Sequence, residues 1–124
     1  MEWKILAEAN SKEWETSKEL HEKLCEIMSQ DISDLYMLRQ NHWSLVKVLG
    51  EARQRNKELS KKLFGDDGVS DVMEGNWLDY YETSVLNIFE SFSVTDDPEI
   101  KYRNASIIRD REFADCYRKL VLEK

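Results

Sequence analysis

An all-α fold, an antiparallel four-helix bundle with one long second helix, is what this sequence predicts. Apolar residues recur at alternating steps of three and four over most of the chain, the spacing that lays them along one face of a helix. One proline and four glycines in 124 residues leave few helix breakers, and 41% apolar with 35% charged residues suits amphipathic helices around a core. No period-two alternation and no glycine-rich βα turn argues for strands. At this length, folding as one domain over 1–124 buries roughly two-thirds of the surface of the unfolded chain.

The first helix is expected to start near Asn10, with Glu13 three residues on in a capping-box spacing. Trp14, Leu20, Leu24, Ile27 and Met28 line one of its sides. The stretch DISD at 31–34 reads as a tight turn in preference to a continuous helix, because Asp and Ser are cap formers.

The second helix carries the clearest pattern. Leu35, Leu38, His42, Leu45, Leu49, Ala52, Asn56, Leu59 and Leu63 form an unbroken heptad seam, predicting one helix over 35–63, about 45 Å long. Gly65 stands where a left-handed C-cap falls. The run DDGVSDVMEGN then reads as a loop with at most a helical turn from Ser70. Leu78, Tyr81, Val85, Ile88 and Phe92 mark the third helix. In TDDPE at 95–99 an aspartate cap precedes a proline at the first helical position, a firm start for the fourth. There Ile100, Ile107, Ala114 and Val121 recur every seven residues, supported by Ile108, Phe113, Tyr117 and Leu120.

The net charge of −7 is unevenly spread. Residues 65–99 hold ten acids and no base, whereas 31–64 and 100–124 each hold four acids and seven bases. Such an acidic segment repels phosphates, which disfavours direct nucleic-acid binding. It steers a basic partner protein, mimics nucleic-acid phosphates in a basic groove, or simply solubilises the domain.

Chemistry is thinly supplied. Lys18 and Arg39, not glutamates, stand three residues before His21 and His42, so no di-iron motif exists. His21 and Cys25 offer two metal ligands where zinc takes three or four. Phosphate-binding loops, nucleophile elbows and paired-cysteine motifs are missing from the sequence. Paired carboxylates such as Asp66–Asp67 sit where capping explains them. No cofactor and no metal is expected, and Cys25 and Cys116 read as reduced, semi-buried residues. With no signal peptide or transmembrane span, a cytoplasmic location is expected.

These readings converge on a non-catalytic helical protein–protein interaction module: an adaptor, assembly subunit or inhibitor. His42 and Asn56 are polar positions on the seam, which make sense where a partner helix meets them. Trp43 and Val46, if outward, make a second apolar stripe beside His42. Asp66, Asp67, Asp71, Glu74, Asp79 and Glu82 supply the acidic face. The expected partner is a protein with a basic surface, with a second copy of the chain as a candidate through the long helix, and neither nucleic acid nor membrane. The alternative is an acidic decoy occupying a nucleic-acid groove on an enzyme. A small enzyme centred on His42 is a third reading.

Overall fold

The computed structural model describes the backbone of residues 2–64 and 71–122 and the side chains of 18–62 and 78–122. Among the described residues four helices form the bundle: α1 (Glu2–Gln40), α2 (Leu45–Phe64), α3 (Asp71–Ser91) and α4 (Pro98–Tyr117), the last running into a π-helical turn at Arg118–Leu122. The long helix is the first, not the second. Its 39 residues include no glycine or proline and span about 58 Å.

Two expectations about α1 fail together. Asn10 lies inside the helix, which begins at Glu2. The DISD stretch is helical as well, because its polar groups find tertiary partners instead of capping a turn. Asp31 and Asp34 bind Arg55 of α2, and the Ser33 hydroxyl donates to the Ala105 carbonyl of α4 at 2.9 Å.

The predicted helix over 35–63 is broken at 41–44. His42 adopts φ 67°, and its N–H donates to the Arg39 carbonyl while the Trp43 N–H donates to that of Leu38. These two bonds satisfy carbonyls at the end of α1, and Ser44 caps α2 by accepting from the Lys47 N–H at 3.3 Å. A four-residue turn preserves the three-and-four count, so the seam looked continuous in one dimension. Glycine is the residue best suited to this left-handed position, and His42 is exposed, so His42→Gly should raise stability by about 0.5–1 kcal/mol in urea titration. A loss of stability would show that the imidazole makes a compensating contact.

The start of α4 follows the sequence. Asp97 accepts from the Glu99 N–H at 2.9 Å, with Pro98 in the first turn. Its interior does not: Ile107 and Ala114 are exposed, while Ile108 and Cys116 are buried. The heptad line of that helix is therefore not its core line.

The core lies around α1. Leu24, Met28, Ile32 and Leu35 meet Val48, Ala52 and Leu59 of α2, Tyr81, Val85 and Ile88 of α3, and Ile108 of α4. Among the described residues α1 packs on all three other helices and α2 on α3, whereas α4 packs chiefly on α1. Between α3 and α4 a cleft of about 300 Å³ opens, lined by Ser84, Asn87, Ile108 and Arg111 and bridged by the Tyr80 hydroxyl donating to Glu112.

Cys25 and Cys116 are joined in a disulfide, which overturns their reading as reduced thiols. Antiparallel packing of α1 and α4 brings positions 91 residues apart opposite each other, a proximity that linear spacing does not reveal. A bond of this kind persists under oxidising conditions, so the cysteines lend no support to a cytoplasmic location. No described helix is long and apolar enough to cross a membrane.

Candidate protein-binding face

The α1–α2 turn sets the geometry of the candidate face. Val48, Ala52 and Leu59 turn α2 inward, and that leaves Val46 and Arg53, two turns apart, on its outer edge beside α3. Arg53 marks this edge by pairing with Glu82 of α3 at 3.0 Å. Leu86 lies one turn beyond Glu82 on the same side of α3. Because α2 and α3 run antiparallel, Leu86 comes level with the first turns of α2. Val46 is 78% exposed, Leu86 43% and Trp43, in the turn just ahead of α2, 37%. Three large apolar side chains are thus exposed toward one end of the α2–α3 pair.

Polar contacts hold this end in place. The Gln40 side-chain amide is buried and bonds twice to the α3–α4 connection, donating to the Ser93 carbonyl and accepting from the Thr95 N–H. Arg39 stacks its guanidinium 4.5 Å over the Phe89 ring, tying the end of α1 to α3. Neither residue stood out in the sequence, since a lone Gln or Arg inside a helical pattern carries no signal of a distant partner.

Deeper in, Arg55 collects three carboxylates: Asp34 at 2.8 Å, Asp31 at 2.9 Å and Glu51 at 3.1 Å. Asp31 also accepts from the Tyr81 hydroxyl at 2.7 Å, so one network links α1, α2 and α3. Burial pushes Asp31 above the usual carboxylate range, outweighing the pull of Tyr81 and Arg55. Burial and the Asp31 charge push the Tyr81 phenol upward as well. For Arg55 burial acts downward but is overcome by the three carboxylates, so the guanidinium stays charged. Glu112, beside Tyr80, is likewise raised by burial.

The structure sorts the predicted site residues. His42, Trp43 and Val46 are exposed together at the α1–α2 corner, with His42 in the turn and not on a seam. Asn56 is 1% exposed and faces the interior, so it is not a surface for a partner. Ala52 and Leu59 of the predicted seam are buried as well, within the bundle. Asp79 is exposed on α3, and Glu82 is half-buried against Arg53. Asp66 and Asp67 lie outside the described residues, as do the side chains of Asp71 and Glu74. Leu86 was missed because its i+4 relation to Glu82 gains meaning only once α2 is known to lie alongside.

Comparison with known proteins finds no family model, no curated protein and no solved structure that matches this chain.

Proposed function

We propose that the chain is a non-catalytic protein-binding module that docks a partner protein on the end of the α2–α3 seam. The observation that carries this reading is the exposure of three large apolar side chains, Trp43, Val46 and Leu86, toward one end of the α2–α3 pair. Isolated surface apolar residues are ordinary, but several toward one end of two adjoining helices suit an interface, and tryptophan is enriched among residues that dominate binding. The acidic segment 65–99 supports a partner with a basic surface, since exposed Asp79 and Glu90 flank the seam without a lysine or arginine on their own helix. Such charges speed encounter and set specificity, leaving the apolar corner to supply most of the affinity.

The test is capture of binding proteins from the native host on the immobilised chain, comparing the parent with Val46→Glu/Leu86→Glu. A protein retained by the parent and lost by that variant, with helical circular dichroism unchanged, is the expected result. Capture unaffected by both substitutions, yet abolished by neutralising Asp79 and Glu90 and by moderate salt, would instead favour the acidic decoy.

A further inference from the structure

We infer that the Cys25–Cys116 disulfide is a redox latch on α4: its reduction frees the C-terminal half of that helix from α1 while α1, α2 and α3 stay assembled.

Helix α4 lies along α1 over most of its length and is tied to α3 by the Tyr80 hydroxyl donating to Glu112, yet only Ile108 and Cys116 of its 20 residues are fully buried. One of its two buried anchors is therefore the disulfide itself. The remaining polar ties between α1 and α4 are single contacts: Ser33 to the Ala105 carbonyl and Asn104 to the Tyr36 hydroxyl in the N-terminal half of α4, and the Tyr117 hydroxyl to Glu22 at 3.5 Å near its end. Past Ile108, α4 and the π-helical turn are held by the disulfide, the half-buried Phe113 and Leu120 packed against the core, the Tyr117 hydroxyl bond to Glu22, and buried Val121. Segments with few buried apolar contacts open at lower free energy than the rest of a fold. The covalent bond counteracts this by tethering α4 at the point where packing thins.

An open groove of about 290 Å³ lies between α1 and α4 near the disulfide, lined by Ser29 and Phe113, each about one turn from a cysteine, and by neither cysteine. Cys25 is fully buried and Cys116 is 4% exposed, so attack falls on the Cys116 Sγ after slight opening of the end of α4. A dithiol reductant in its thiolate form attacks that sulfur, the S–S bond breaks, and Cys25 leaves as a thiolate that takes up a proton. The second thiol of the reductant then displaces Cys116 from the mixed disulfide. Two electrons and two protons have passed to the protein, and the reductant ends as its own disulfide.

Hydrogen exchange of the full chain, oxidised and then reduced with dithiothreitol, tests this. After reduction the amides of 108–122 should accelerate at least tenfold more than those of 48–60 and 80–90, which follow only the general loss of stability. The variant Cys25→Ala/Cys116→Ala should show the same pattern without reductant. Unchanged rates throughout would overturn the latch. So would equal acceleration of all four helices, or a double variant with no helical circular dichroism, since either would make the bond a staple for the whole fold.

Discussion

Replacing both cysteines with alanine is expected to lower the free energy of unfolding by about 2–5 kcal/mol in urea titrations followed by circular dichroism. The bond closes a loop spanning 91 residues of a 124-residue chain, and the chain-entropy contribution for a loop of that length lies near the upper end of that range. Most of this effect acts on the unfolded state, which expands once the cross-link is gone. The denaturant slope should therefore steepen as the midpoint falls. A domain of this size has roughly 5–15 kcal/mol in total, so the variant should stay folded but with a much reduced margin. A change below about 1 kcal/mol would mean that the reduced chain keeps α1 and α4 together even when unfolded.

The second large effect is expected at Arg55. Its side chain is 24% exposed and that of Asp31 only 15%, so Arg55→Met leaves a mostly buried carboxylate without its cation. Breaking one side of a fully buried pair costs about 3–5 kcal/mol, and partial exposure here reduces the expected loss to about 2–3 kcal/mol. Asp31→Asn combined with Arg55→Met should recover about 1 kcal/mol or more, because the stranded charge is then gone. Arg53 supplies the control. Its ion pair with Glu82 is 55% and 32% exposed, and Arg53→Met should change stability by no more than about 0.5 kcal/mol. Equal losses at the two arginines would show that the Arg55 network is as fully solvated as the surface pair.

The fold class was legible because leucine-type spacing depends only on local period, and Asp97–Pro98 was legible because a cap and a proline act within one turn. Helix boundaries were less so. The seam from Leu35 to Leu63 counts correctly through the turn at 41–44, and only the left-handed backbone at His42 shows that two helices share it. Asp31, Ser33 and Asp34 resemble turn formers until α2 and α4 supply their partners. The same dependence on distant neighbours hid the disulfide and the roles of Gln40 and Arg39. Of the candidate face, Trp43 and Val46 were readable as off-seam apolar residues, whereas Leu86 required the pairing of α2 with α3.

The pairing of Cys25 with Cys116 also has a consequence for biosynthesis. The earlier cysteine emerges from the ribosome 91 residues ahead of the later one, and none of the residues between them is a cysteine it could join in the meantime. Between these two positions no competing bridge can form, and this bond has to wait until residue 116 has been made. Oxidation of this pair reports that synthesis has passed through α4 and that this helix has found its place.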